Sequence, residues 1–275
     1  MDLAFFTPGE LFSPVVKLLK IATLTCALLA PFAGTASAEA AAYPVEDLKL
    51  TENPLYAAGP LPATTCVERP VKRNDRKLAR AYVDAVIACL ETAWEQHLTK
   101  AGLAYEKVKV RHMNRIPRKY CSLDIGKDDS QAWYCDRNGE LIFQFGKNWL
   151  ADPYDLWLFR TAAMMYGYHV QKLVGIGDAV DELRYRNKKE GYEQERRRNL
   201  QTDCLGAAFM KSVWPIKGRT MKDWDKMLGL VQGDRPGDEP WYGKTGTMKI
   251  WMRAGFATGD PGSCNTWAAP SSKVA

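Results

Sequence analysis

Six cysteines constrain this chain more than any other feature: Cys66, Cys89, Cys121, Cys135, Cys204 and Cys264 are spread along its length, and a seventh, Cys26, lies upstream in an apolar run. An even set of this kind suits disulfides formed in an oxidising compartment. Six cysteines allow about 15 pairings. Nearness in the sequence favours Cys66 with Cys89, Cys121 with Cys135 and Cys204 with Cys264. No Cys-x-x-Cys pair occurs, so a thiolate zinc site is not expected.

The amino terminus agrees with that compartment. Ile21 to Ala33 is apolar, with Lys17 and Lys20 ahead of it and Ala36-Ser37-Ala38 behind, the three-part layout of a secretory signal peptide. The expected cleavage after Ala38 leaves a mature chain with no transmembrane segment and a secreted or extracytoplasmic location. The apolar run falls short of the roughly 20 residues that a membrane span needs. Cys26 follows Thr23-Leu24-Thr25, a poor lipoprotein box. Asp2 and Glu10 are out of place in a leader and favour initiation nearer Val15 or Val16.

The composition is that of an ordinary globular protein, with 46% hydrophobic and 25% charged among 275 residues, which excludes a disordered, collagenous or coiled-coil chain. The net charge of +6 is a mild, dispersed excess. Its densest stretch, Arg184 to Arg198, mixes Arg186, Lys188, Lys189 and Arg196 with Glu190, Glu193 and Glu195. That mixture reads as a solvated helical face, and a nucleic-acid partner is not expected.

Three segments follow: a signal peptide over 1–38, a Pro-rich extended lead-in over 39–71, and one domain over 72–275. In the domain, Leu78, Tyr82, Val86, Cys89, Leu90, Ala93 and Trp94 recur at three and four, which predicts a helix between Asn74 and Ala101. Tyr105 to Val110 and Leu141 to Phe145 read as short strands, with a turn at Asn138-Gly139. Asp152-Pro153 has the form of a helix opening, and the apolar run behind it continues to Val174. Further helices are expected through Leu200 to Phe209, from Met221 to Leu230 and from Thr245 to Phe256.

Several segments together carry a resemblance. Met164-Met165-Tyr166-Gly167-Tyr168-His169-Val170-Gln171 is similar to H-E-Y-G-H-H-V-Q, and Leu200-Gln201-Thr202-Asp203-Cys204-Leu205 to L-Q-A-D-C-L. Tyr120-Cys121 is similar to a Y-C region, and Gly255 to Pro261 followed by Cys264-Asn265-Thr266-Trp267 to G-F-x-T-G-D-P and C-D-T-W. The chain thus resembles the neutral zinc metallopeptidase family of exported bacterial proteins. The resemblance implies a mostly helical α+β, zincin-like metallopeptidase fold with a small sheet and, given the cysteines, three disulfides.

It also implies what has been lost. In the family motif two histidines four apart bind one zinc and the glutamate between them is the general base. Here Met164 and Tyr168 stand at the histidine positions, Met165 at the glutamate, and Asn199 where a later helix gives a third ligand. Thioether, phenol and amide are poor zinc donors, and losing general-base help alone costs roughly 100- to 10,000-fold. Met164 and Met165 are expected to fill the former pocket as core. Asp203, a second-shell residue in active relatives by this reading, is expected to bond Tyr168 or helix backbone. His169 points away from the ligand face and is expected to be a structural hydrogen-bonding residue. No catalytic residue, metal ligand or cofactor is expected.

The reading is an exported pseudopeptidase that binds peptide, cell-wall material or another envelope protein. The alternative is an active secreted hydrolase using displaced residues such as Asp178, Glu182, Asp203 and Tyr168. A third is a purely structural envelope component, against whose crosslinking the even number of cysteines argues.

Overall fold

A computed structural model describes residues 43–275, so the leader, its cleavage position and Cys26 lie outside the described residues. The first long helix forms where the three-and-four spacing places it. With α1 the short turn Leu48–Thr51, this helix is α2, Arg76–Lys100, opened by the Asp75 side chain accepting from the Leu78 amide. Tyr82, Val86, Leu90, Ala93, Trp94 and Leu98 are buried along one stripe.

Five strands follow: β1 Lys109–Met113, β2 Lys119–Tyr120, β3 Leu123–Asp124, β4 Gln131–Cys135 and β5 Glu140–Gln144. β1, β5 and β4 lie in that order in one mixed sheet, with β1 parallel and β4 antiparallel to β5. β2 and β3 form a separate antiparallel pair. The expected strand over Tyr105 to Val110 is displaced toward the carboxyl end. Glu91 of α2 latches that segment, taking hydrogen bonds from the Tyr105 hydroxyl and, at 3.0 Å, from the Val108 amide, so pairing begins only at Lys109. β4 escaped the sequence reading because its five residues alternate in neither polarity nor burial.

After α3, Lys147–Leu150, comes the central helix α4, Asp155–Leu173. It begins later than Asp152-Pro153, and Tyr154 at its cap position makes no side-chain cap bond. Asp155 in the first turn is held instead by Arg219 at 2.6 Å, and Arg219 also clasps Glu68 at 2.8 Å. α5 (Ile176–Glu182), α6 (Lys188–Ser212), α7 (Met221–Gly229) and α8 (Thr245–Thr258) complete the set. The architecture is α+β, mostly helical, with a small sheet.

The charged stretch at the start of α6 is not a uniformly solvated face. Glu193 is 3% exposed and Arg197 1%. They pair at 2.7 Å, and Arg197 also donates to the carbonyls of Trp267 (3.2 Å) and Ala269 (2.7 Å). A buried guanidinium persists only when its donors are satisfied, and here the carboxyl-terminal segment satisfies them.

The lead-in is less extended than expected, since α1 and a tight turn over Pro54–Ala57 interrupt it. It lies across the body: the Leu61 amide donates to the Gly259 carbonyl and the Thr64 amide to the Ser212 carbonyl. The disulfides are Cys66–Cys89, Cys121–Cys135 and Cys204–Cys264, with Cα separations of 5.8, 5.8 and 5.4 Å. Among the described residues no helix is long and apolar enough to cross a membrane.

Candidate functional site

The site of interest lies where α4 crosses α6. Two glycines let the helices meet backbone to backbone. A Cβ on Gly167 would stand 2.9 Å from Thr202 Cα, and one on Gly206 2.9 Å from the Met164 amide nitrogen. The crossing brings Tyr168 of α4 against Asn199 of α6, and the Tyr168 hydroxyl donates to Asn199 Oδ1 at 2.6 Å. Asn199 Nδ2 in turn donates to the Trp241 carbonyl at 2.7 Å. Two of the three positions that the resemblance marks as ligands are therefore bonded to one another and to the loop before α8. Met165 belongs to the main buried core, with Met164 and Tyr168 packed against it.

Asp203 departs from expectation. It bonds neither Tyr168 nor helix backbone; Arg160, one turn before Met164, forms an ion pair with it, the two side chains being 2% and 8% exposed. Burial raises the Asp203 carboxyl above the usual range while Arg160 opposes the rise. Arg198 adds a second cation, with its guanidinium 5.6 Å from the Tyr168 ring centre and bound to Asp136 at 2.7 Å. Burial pushes the Tyr168 phenol up, so its hydroxyl stays protonated.

His169 faces the other way and is fully engaged. Its Nε2 lies 2.7 Å from the Glu106 carbonyl and its Nδ1 3.0 Å from the Tyr134 hydroxyl. A carbonyl can only accept, so Nε2 carries the proton and Nδ1 accepts from Tyr134. Burial lowers the His169 pKa, in keeping with a neutral ring.

The segments that match the family motifs hold the crossing together. Gln171 donates to Gln201 Oε1 at 2.8 Å, and the Trp267 indole donates to the same oxygen at 3.1 Å. Thr266 Oγ1 donates to the Arg197 carbonyl at 2.7 Å. Gly255 lies so close that a Cβ there would stand 2.2 Å from the Cys204 carbonyl oxygen. With the Cys204–Cys264 disulfide these contacts tie α4, α6, α8 and the carboxyl-terminal segment into one block.

The family described as "Putative neutral zinc metallopeptidase" matches residues 58–267. The chain belongs to this family. It is also 24% identical over 217 residues to the uncharacterized protein YpfJ of Escherichia coli K12, covering 72% of this chain and 75% of that one. The same figures hold for the YpfJ of Escherichia coli O6:H1 strain CFT073. No solved structure matches the chain significantly.

A zinc ion, which the family description implies, does not fit the residues present. Structural and catalytic zinc sites use imidazole, thiolate and carboxylate donors. The crossing offers a thioether, a protonated phenol and an amide, with the last two engaged by each other. Asp203 is held by a guanidinium rather than facing a vacant coordination position. Among the described residues no three His, Cys, Asp or Glu side chains gather closely enough to hold a metal.

The displaced carboxylates are not collected either. Asp178 is bound to Lys172 at 2.5 Å and Glu182 to Lys49 at 3.3 Å, while Asp203 lies with Arg160 and Tyr168 with Asn199. The sequence reading missed Arg160. A lone arginine within the apolar run from Leu156 to Ala163, four residues before Met164 and so on its face of the helix, was the available signal.

Proposed function

We propose that this chain is an exported, non-catalytic member of the metallopeptidase family, cleaved after Ala38, that serves a binding or regulatory role at the cell envelope. On this reading residues 39–71 are its lead-in and 72–275 its zincin-like domain. Met164, Met165, Tyr168, Asn199 and Asp203 are the degenerate remains of a zinc site. One observation carries the reading: Tyr168 and Asn199 hydrogen-bond to one another where the family places two ligands, while the residues around them keep their family identity and their structural bonds. Three disulfides add support, since such bonds persist in oxidising compartments. The ligand is peptide, cell-wall material or another envelope protein.

The purified mature chain, incubated with unfolded casein and zinc, tests the lack of catalysis. No chelator-sensitive cleavage is expected, and zinc-dependent cleavage would overturn the reading. Sequencing the amino terminus of the protein recovered from the envelope fraction tests export, and the expected first residue is Glu39.

A further inference from the structure

Beside the amino-terminal half of α6 lies a groove of about 480 Å³, within the size range of small-ligand sites. Three aromatic rings, Tyr185, Tyr192 and Trp241, line it among charged and apolar side chains. Tyr185 is 62% exposed. A Cβ on Gly191 would lie 3.3 to 3.4 Å from three atoms at one end of the Tyr185 ring. Near-equal distances of this kind mean that the ring rests one face on the bare helix backbone and turns the other to solvent. Trp241 stands edge-on to Tyr192, with ring centres 5.0 Å apart at 89°, and Asn199 fixes its backbone carbonyl. Glu195 and Gln194 line the same groove. A neighbouring cavity of about 340 Å³ shares Trp241 and Glu239 and adds Tyr242 beside the charged side chains of Asp234, Arg235 and Asp238.

Flat aromatic faces with carboxylate and amide acceptors between them suit one ligand chemistry. A pyranose ring stacks its C–H face on an aromatic ring and offers hydroxyl and acetamido N–H donors at its edge. A basic peptide would compete for the acidic lining of Asp181, Glu195 and Glu239, but two of the three carboxylates already have cations of the chain beside them: Arg198 lies 3.9 Å from Asp181, and Lys188 sits at Glu239. The Lys188 ammonium lies 5.2 Å from the Tyr192 ring centre and 3.1 Å from Glu239. Burial raises the Glu195 carboxyl, which further favours an uncharged ligand over a cation.

We propose that this groove is a saccharide-binding site that takes a short, neutral, N-acetylated glycan chain, with Tyr185 and Trp241 as stacking platforms and Glu195 and Gln194 as hydrogen-bonding partners. The site narrows the binding role proposed above to one ligand class and rests on that reading.

The test titrates the mature, oxidised chain with the N-acetylglucosamine tetrasaccharide, followed by calorimetry and tryptophan fluorescence. Saturable binding is expected, and Tyr185→Ala and Trp241→Ala should each weaken it about tenfold or more with unchanged circular dichroism. Ile250→Ala, at an exposed position on α8 outside the groove, should bind as the natural chain does. Sedimentation with purified peptidoglycan separates the two levels of the account. If both aromatic variants sediment as well as the natural chain, the binding role stands and this groove is not its site. Absence of tetrasaccharide binding overturns the proposal, as does a lysine-rich hexapeptide binding in its place with the same dependence on Tyr185. Zinc-dependent peptide cleavage would overturn the non-catalytic reading and leave the titration still reporting on the groove.

Discussion

Asp203→Asn removes the negative member of the buried pair at the helix crossing and leaves the Arg160 guanidinium in a site where it is 8% exposed. Among the described residues the Arg160 Nε already has no hydrogen-bond partner. Breaking a buried pair from one side costs about 3–5 kcal/mol, because the remaining charge keeps its desolvation penalty without its counter-ion. In a domain of this size each kcal/mol lowers the melting temperature by about 2–4 °C, so the expected loss is roughly 6 to 20 °C. The double substitution Arg160→Met with Asp203→Leu removes both charges and keeps the volume, and should recover most of that loss. The assay is thermal unfolding of the oxidised chain, read by circular dichroism and calorimetry for the natural protein, Asp203→Asn, the singles Arg160→Met and Asp203→Leu, and the double. A single-variant cost below about 1 kcal/mol, or a double variant falling by the sum of the singles, would refute charge balance between these two residues.

Other predictions follow from the same contacts. Gly255→Ala drives a methyl into the Cys204 carbonyl and should cost at least about 1–3 kcal/mol by chemical denaturation, whereas Gly246→Ala, with nothing within 4 Å, should be neutral or stabilising. Replacing Cys204 and Cys264 together by alanine opens a loop of sequence separation 60 and should lower stability by about 4 kcal/mol under oxidising conditions. Burial lowers the pKa values of His169 and His97 from 6.5. The folded state thus favours the neutral rings, and their contribution is full above pH 6.5 and is lost as pH falls through the folded values. Denaturation midpoints measured from pH 7 to pH 5 should fall, and His169→Gln should flatten part of that fall.

The elements that could be read in the sequence share one property, that local pattern decides them. α2 follows from apolar spacing, and the three disulfides join the cysteines that nearness favoured. The missed features depend on partners far along the chain. Glu193 and Arg197 look like members of a solvated run until the carbonyls of Trp267 and Ala269 arrive to satisfy the guanidinium. β1 begins at Lys109 because a glutamate on α2 holds the preceding residues. Asp203 could be placed on the crossing from its motif, but its partner could not, since Arg160 lies 43 residues earlier. The face of α4 that meets α6 was legible through the resemblance, which marks Met164 and Tyr168 as ligand positions on one face and Asn199 on a later helix. The mutual bond of Tyr168 and Asn199 was not.

The central claim is that this family member has lost its metal site and kept the scaffold. Metal content of the purified, oxidised mature chain, measured by plasma mass spectrometry after dialysis, tests it most directly. The variant carrying Met164→His, Met165→Glu, Tyr168→His and Asn199→Glu is measured beside it. The account predicts no stoichiometric zinc in the natural chain and about one zinc per chain in the variant. Stoichiometric zinc in the natural chain would contradict it.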